Sequence, residues 1–380
     1  MRAFALRVAV WIMAIIYAPL KLFSQDPNKV VFLSRQSDTP SLDFRMLMEE
    51  IKRQNPDAKI VCICNRIGKG LASKVSYGCD LLRSLYHLAT SKVCVLDSYW
   101  PAVSTLHHKD GLVVIQIWHS LGKVKQSGWQ AVGRPGGRPE DEARAMRMHA
   151  NYDYIVAGAP AWNQFYCEGF HCHEEQILNF ALPRLDVIVS GQEKTAEKIL
   201  ERYPELCGKK VVVYAPTFRR GEQNAHFGLA TRLDANEYAL VVKAHPNQGV
   251  EAPGCLTCKG FSTMQLLSVA DVVITDYSSV AVEAAAANVP TLYYLYDYEK
   301  YLSGTGLNIN IPAEMPSCVM YDEPSLAEAV RKVCAGDYPW DELARYRERY
   351  VIADPGHSTR DIASFVVKHL GSGAEAEAMA

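Results

Sequence analysis

The stretch "VVITDYSSVAVEAAAANVP", residues 272–290, joins an apolar β-branched run to an alanine-rich segment through Asp276, Tyr277, Ser278 and Ser279. The run from Val272 to Thr275 suits a strand buried on both faces of a parallel sheet. Ser278 and Ser279 are good N-cap residues, Glu283 falls in the first turns of the expected helix, and the alanines leave a face thin enough to pack closely on a sheet. A strand, a polar turn and a helix N-terminus together make a site for an anion, because unpaired N–H groups and the helix dipole both point at the loop. Serines that only cap a structural helix would give the same pattern. The meaning of the turn therefore depends on what stands at the other strand ends.

Polar residues recur at those ends. "IQIWHS" delivers His119 and Ser120, "FALPRLD" delivers Arg184 and Asp186, "VVYAPTFRR" delivers Thr217, Arg219 and Arg220, and "LVVKAHP" delivers Lys243 and His245. One histidine after a strand is more often structural than catalytic, but the recurrence shifts the balance. Arginine and lysine neutralise phosphate oxygens, arginine through two parallel hydrogen bonds, and serine hydroxyls add donors without charge. A histidine titrates near neutrality and can take the proton of an attacking alcohol. These are the requirements of phosphoryl-type transfer on a diphosphate substrate, where positioning and charge stabilisation supply most of the rate. Neither a Walker loop nor a GxGxxG motif is present.

The composition is that of a globular protein of 380 residues, long enough for two domains. A formal net charge of -2 excludes nucleic-acid binding by bulk electrostatics, so any basic patch is local. One such patch is the Gly-, Pro- and Arg-rich segment from Gly133 to Met146, which with Arg134, Arg138, Arg144 and Arg147 suits an anionic lipid or a phosphorylated acceptor, or is an ordinary solvated loop. The 11 cysteines are scattered, odd in number and mostly in strand-like runs, as buried thiols in a reducing compartment would be. "CLTC" and "CEGFHCH" lack the paired ligand spacing of a structural zinc site, so no metal is assigned. At the N-terminus, the uncharged stretch from Val8 to Leu20 lies between Arg7 and Lys21, contains Pro19, and is shorter than the roughly 20 residues a spanning helix needs. It predicts a peripheral membrane anchor, with Trp11 and Tyr17 at headgroup level, in preference to a cleaved signal peptide.

The elements that must position these residues follow a βα alternation. "KVVFLSRQ", "AKIVCIC", "KVCVLD", "GLVVIQIWHS" and "YDYIVAGAP" are strands with helical stretches between them, and the pattern restarts with "VVVYAPTFRRG", "ALVVKAHPN", "DVVITDYSS" and "VPTLYYLYD". This predicts an α/β protein with two doubly wound halves, each binding ligands at the carboxyl ends of its strands. The expected division is a membrane-associated segment at 1–25, an N-terminal Rossmann-like acceptor domain at 28–187, a connection at 188–208, a C-terminal Rossmann-like nucleotide-binding domain at 209–352, a C-terminal helix at 353–370 and a disordered tail at 371–380.

Taken together, "VVFLSRQSDTPSLDF", "IQIWHSLGKVKQSG", "LPRLD", "VVVYAPTFRR", "ADVVITDYSSVAVEAAAANVPTLYYLYDYEKY" and "DPGHSTRDIASFV" resemble the CDP-glycerol glycerophosphotransferases of teichoic acid synthesis, primases and polymerases alike. The matches run from about residue 28 to 367. The resemblance implies a GT-B architecture in which two Rossmann-like domains face a cleft. It also implies a catalytic pair carried onto His119 and His245, a diphosphate gripped by Ser278 and Ser279, and ribose hydroxyls held by Glu283 where the family commonly has Asp. Arg184, Asp186, Thr217, Arg219, Lys243 and Asp276 complete the expected substrate-binding set. The implied donor is CDP-glycerol or CDP-ribitol, and the implied acceptor is linked to undecaprenyl diphosphate at the cytoplasmic face of the membrane. No metal cofactor is called for, and magnesium on the diphosphate is compatible with the same residues. A GT-B glycosyltransferase using a nucleotide sugar shares this logic and is the alternative. Two departures stand out. "WHSLGKVK" replaces the common WHGTPLK form while keeping His119 and Lys125, and "DPGHST" differs from the usual DGxxxxR form, with His357 and Arg360 at the positions where the resemblance would look for phosphate contacts.

Overall fold

The structure, a computed structural model, describes residues 1–68, 70–217, 219, 224–244 and 249–371. His245, Arg220 and residues 372–380 of the expected tail lie outside the described residues. The chain divides into two compact units, one made of Met1–Ser120, Ser127–Arg184 and the chain from His357 on, the other of Leu121–Gln126 and Leu185–Gly356.

The first unit is built on six parallel strands, β1 (Asp26–Ser34), β2 (Lys59–Cys64), β3 (Ser91–Leu96), β4 (Val113–Gln116), β5 (Tyr154–Val156) and β6 (Ile177–Leu178), in the order β2-β1-β3-β4-β5-β6. Val30, Val31, Phe32 and Leu33 of β1 are fully buried in succession, as a strand covered on both faces requires. Three longer helices belong to this unit, α1 (Arg2–Leu20), α2 (Leu42–Gln54) and α3 (Leu71–Thr90). α2 starts where the Pro-Ser signal placed it, with the Ser41 side chain accepting a hydrogen bond from the Phe44 amide at 3.2 Å, and it buries Phe44, Leu47 and Ile51. The last described helix, Ser358–Lys368, packs beside α2, where Ser364 Oγ donates to Gln54 Oε1 at 3.1 Å.

α1 is held on the first unit by one side only. Met13 and Tyr17 are buried, and the Tyr17 hydroxyl meets His108 Nδ1 at 3.1 Å. Phe4, Val8, Trp11 and Ile15, spaced along the opposite side, are exposed. By length and composition the helix is apolar enough to cross a membrane.

The second unit carries β7 (Lys210–Tyr214), β8 (Asn224–His226), β9 (Tyr238–Val242), β10 (Gly249–Glu251), β11 (Val272–Thr275), β12 (Thr291–Tyr294) and β13 (Val319–Met320). Its main sheet is parallel in the order β13-β12-β11-β7-β9, while β8 and β10 pair separately. Residues 188–208, expected as a connection, hold a helix, Glu193–Arg202, whose Ile199 joins Leu206 and the β7, β9 and β11 valines in the core of this unit. The apolar side of that helix is a narrow stripe among charged residues, which is why its composition read as a linker.

Counting only the strands of each main sheet as they occur along the chain, the first sheet runs 2-1-3-4-5-6 and the second 2-1-3-4-5. In such sheets the chain runs out to one side after the first strand and to the other after the third, and the loops leave a crevice beyond the carboxyl ends of those two strands. The crevices therefore lie past β1 and β3 in the first unit and past β7 and β11 in the second.

Candidate active site

His119 stands at the first crevice. The Ile117 amide donates to the Leu96 carbonyl at 2.8 Å, so the end of β4 lies beside the end of β3. Gln116, fully buried, holds the next turn through its Oε1, which accepts from the Trp118 amide at 2.9 Å. Trp118 takes a left-handed backbone conformation with φ 61, an uncommon state for a bulky residue, and this reverses the chain and turns the imidazole toward β3. His119 Nδ1 then lies 3.0 Å from the Asp97 carbonyl oxygen. A carbonyl can only accept, so Nδ1 carries the proton and Nε2 is the basic nitrogen.

Asp97 and Gln36, neither marked by the strand-end pattern, fix this arrangement. The Gln36 side-chain amide ends 3.3 Å from His119 Nδ1, where an Nδ1–H requires its oxygen and not its nitrogen to face the ring, and its backbone amide donates to Ser34 Oγ at 3.1 Å. Ser34 Oγ donates to Asp97 Oδ2 at 2.8 Å, and Ser98 Oγ accepts from the Arg35 amide at 3.0 Å. The carboxyl of Asp97 is buried and its pKa is raised to about 6 by that burial, the Ser34 and Ser98 hydroxyls acting in the opposite sense. Arg184, expected on phosphate, has its guanidinium and its amide on the buried carboxylate of Asp43, with Nε to Oδ2 at 2.9 Å and N to Oδ1 at 2.8 Å. It ties the end of the first unit to the first turn of α2.

The second crevice is formed by the DYSS turn and the end of β7. β11 pairs with β7 so that Ile274 faces Tyr214, and the Thr275 hydroxyl donates to the Ala215 carbonyl at 2.8 Å. Asp276 is buried, and both its oxygens accept from the Thr217 amide, at 2.9 and 3.0 Å. Its Oδ2 also meets Arg219 Nη1 at 2.8 Å. Arg219 in turn places Nε 2.7 Å and Nη2 3.1 Å from the Asp297 carboxylate, and Tyr277 donates its hydroxyl to the same carboxylate at 3.0 Å. Burial works against the charge of Arg219, and Asp276 and Asp297 more than offset it. The guanidinium also lies 5.1 Å from the Tyr277 and Tyr301 ring centres. Arg219 and Asp276 thus brace the turn from beneath.

The polar atoms of the turn differ from a plain cap. Ser278 Oγ accepts from the Val280 amide at 3.3 Å, but Ser279, which was expected to cap the helix with its side chain, makes no such bond. The Val280–Ala286 helix is only seven residues long, so hydroxyls and turn amides outweigh its dipole. Thr217 Oγ1 is buried with no hydrogen-bond partner among the described residues. Glu283 is buried in the helix. Lys243 follows β9 and donates from Nζ to the Thr257 carbonyl at 3.1 Å, its pKa lowered by burial. Asp186 lies in the short Arg184–Val189 helix, half-buried and within the second unit.

Lys125 joins this second group. The segment 121–126 pairs with residues 306–308, the Gln126 amide donating to the Gly306 carbonyl at 3.1 Å and the Asn308 amide to the Val124 carbonyl at 2.9 Å. Its ammonium is destabilised by burial, with Asp276 acting against this and Arg219 adding to it. The WHxxGxxK pattern therefore gives its histidine to one unit and its lysine to the other.

Residues 16–368 match the family described as CDP-Glycerol:Poly(glycerophosphate) glycerophosphotransferase. The chain belongs to this family. A teichoic acid ribitol-phosphate primase of Bacillus spizizenii is 30% identical over 394 residues, with 99% of this chain and 100% of the relative covered. A teichoic acid glycerol-phosphate primase of Bacillus subtilis is 26% identical over 298 residues, with 75% of this chain and 76% of the relative covered. Among solved structures, the wall teichoic acid polymerase TagF superposes with a TM-score of 0.73 at 17% identity, covering 97% of this chain and 96% of that one, which is a likeness of fold. In this glycerophosphotransferase His119 stands at one strand-end crevice, and Thr217, Asp276, Ser278 and Ser279 stand at the other. The first offers a histidine held in one tautomer, and the second offers hydroxyls, turn amides and lysine ammonium groups.

Proposed function

We propose that this protein transfers glycerol phosphate or ribitol phosphate from the CDP-alditol to a hydroxyl of a lipid-linked teichoic acid acceptor, releasing CMP. The observation that carries the proposal is the Nδ1 contact of His119 with the Asp97 carbonyl, which leaves Nε2 as a general base. The acceptor hydroxyl gives its proton to Nε2 as its oxygen attacks the phosphorus that bears the alditol. The new P–O bond forms in line with the bond to the bridging oxygen, which breaks, and CMP departs with that oxygen and the bonding electron pair. Ser278, Ser279 and Thr217 supply hydroxyl donors to the diphosphate, and Lys125 and Lys243 oppose the charge gathering on CMP. Glu283 accepts from the ribose hydroxyls. Arg219, Asp276 and Asp297 keep the turn in shape, and Arg184 holds its own end of the first unit on Asp43.

Family membership and the primase relatives support the donor class. With them goes a GT-B arrangement of two domains about a cleft, an undecaprenyl-diphosphate-linked acceptor, and peripheral attachment at the cytoplasmic face of the membrane through α1. His245 is the second member of the proposed catalytic pair by resemblance alone.

His119→Ala tests the assignment. Its turnover should fall by about 10²- to 10⁴-fold while calorimetric affinity for the CDP-alditol stays within about threefold of wild type. Turnover at the wild-type rate would remove His119 as the base.

A further inference from the structure

The first crevice carries two arginines that the proposed transfer leaves without a task. Arg35 directly follows β1, and its guanidinium carbon lies 5.4 Å from the centre of the Tyr99 ring. The guanidinium carbon of Arg138 lies 5.3 Å from the same ring. Among the described residues neither is ion-paired with a carboxylate; Arg35 Nε is buried with no hydrogen-bond partner, and the Arg35 guanidinium lies against the buried Tyr77 hydroxyl. Both cations lower the pKa values of Tyr77 and Tyr99, which burial raises, so the two charges share one neighbourhood.

Arg138 is brought there by a built turn. The Gly133 amide donates to the Arg138 carbonyl at 3.0 Å and the Gly137 amide to the Arg134 carbonyl at 2.9 Å. A Cβ on Gly137 would fall 1.6 Å from the Ala131 carbonyl oxygen, so the turn closes only with glycine there. The place is next to His119. Gln36, which follows Arg35, touches His119 Nδ1, and the Arg35 amide is held by Ser98 beside Asp97. Two like charges beside one ring, without an ion-paired acid and with a buried guanidinium N–H unfilled, are stabilised by an anion that takes hydrogen bonds from both.

We propose that Arg35 and Arg138 bind a phosphate-bearing group of the acceptor, its diphosphate or its terminal glycerophosphate, and thereby set the attacking hydroxyl beside His119. This rests on the alditol-phosphate transfer proposed above. Phosphate esters reach the enzyme from two sources, the acceptor itself and the headgroups of anionic lipid. The position of the pair beside His119, in a crevice at the strand ends, favours the acceptor.

Two experiments on the full-length, detergent-stabilised protein test it. In steady-state kinetics with a short-chain lipid-diphosphate acceptor, Arg35→Gln and Arg138→Gln should each raise the acceptor KM tenfold or more, with the CDP-alditol KM within twofold of wild type. Arg138→Lys should restore part of the loss. An acceptor KM unchanged in both Gln variants overturns the proposal. Independently of turnover and of any variant's folding, phenylglyoxal modification of the wild-type protein, mapped by peptide mass, should be blocked at Arg35 and Arg138 by that acceptor and by inorganic pyrophosphate. Protection by phosphatidylglycerol vesicles alone would assign the pair to membrane headgroups and overturn it. Protection by pyrophosphate in a protein that releases no CMP would sink the transfer reaction and leave the anion site standing.

Discussion

At the scale of single residues, the chemistry depends on groups that are held, and the holding partners lie far away in sequence. The place of His119 was legible because a histidine ended an apolar strand, but its contacts with Gln36 and Asp97 were not. Their part depends on β1 lying beside β3, a pairing that local pattern does not encode. Arg219 shows the same limit from the other side. A strand-end arginine predicts a phosphate ligand, and pattern alone does not show that Asp297, 78 residues away, also takes its Nε. Asp97 carries a testable cost. Its carboxyl pKa is 3.8 ordinarily and about 6 in the fold, so between these values the folded chain keeps a proton that the unfolded chain has lost. Stability from this group therefore falls as pH rises through that window and does not recover above it. Among the described residues, buried Oδ1 has no hydrogen-bond partner. Relative to wild type, Asp97→Asn should be more stable at pH 7.5 than at pH 5 by about 1 kcal/mol in urea unfolding. An equal difference at the two pH values would contradict this. At the DYSS turn, the double variant Ser278→Ala/Ser279→Ala should lose about tenfold or more in CDP-alditol affinity, on the order of 1.5 kcal/mol, while remaining folded with at most about 1 kcal/mol lost from the Ser278 contact with the Val280 amide. Unchanged affinity by calorimetry would remove the turn from the donor site.

At the scale of elements, the run from Val272 to Ala286 is read well from sequence because each of its parts answers a local demand. The strand is apolar since both faces of the sheet are covered, and its four residues are all buried. The turn is polar since it carries hydroxyls and amides at a crevice. The alanines are packing: Ala284 is fully buried against the core that includes Val213, Val273 and Leu266. Ala284→Leu should overpack this contact and cost about 1–3 kcal/mol in urea unfolding, in contrast to the serine variants. A midpoint within error of wild type would show that the helix has room beneath it. The Glu193–Arg202 helix was missed for the opposite reason, because its burial is narrow and its surroundings are charged. The cap at Ser279 was over-read, since residue type alone does not say whether a serine spends its hydroxyl on its own helix.

At the scale of the whole molecule, the βα alternation made two parallel sheets readable, while their strand order was not. Order places the crevices, and the crevices gather residues that lie far apart in the sequence. The apolar N-terminus was legible as an apolar segment by composition and flanking charge, and the structure makes it a helix, α1. That it lies on the first unit by Tyr17 and leaves Phe4, Val8, Trp11 and Ile15 exposed comes from the contact with His108. If the exposed side of α1 meets a membrane surface, its apolar residues supply the binding. Trp11→Glu/Ile15→Glu should lower co-sedimentation with phosphatidylglycerol vesicles by about tenfold, each change opposing transfer of an apolar side chain into lipid. Undiminished co-sedimentation would move the attachment elsewhere. The account as a whole stands on the reaction. The purified, detergent-stabilised protein, given CDP-glycerol or CDP-ribitol with a lipid-linked glycerophosphate acceptor, should release CMP from one of these donors in step with lengthening of the acceptor, and His119→Ala should abolish it. Release of a nucleoside diphosphate from a nucleotide sugar, with no CMP from either CDP-alditol, would contradict it.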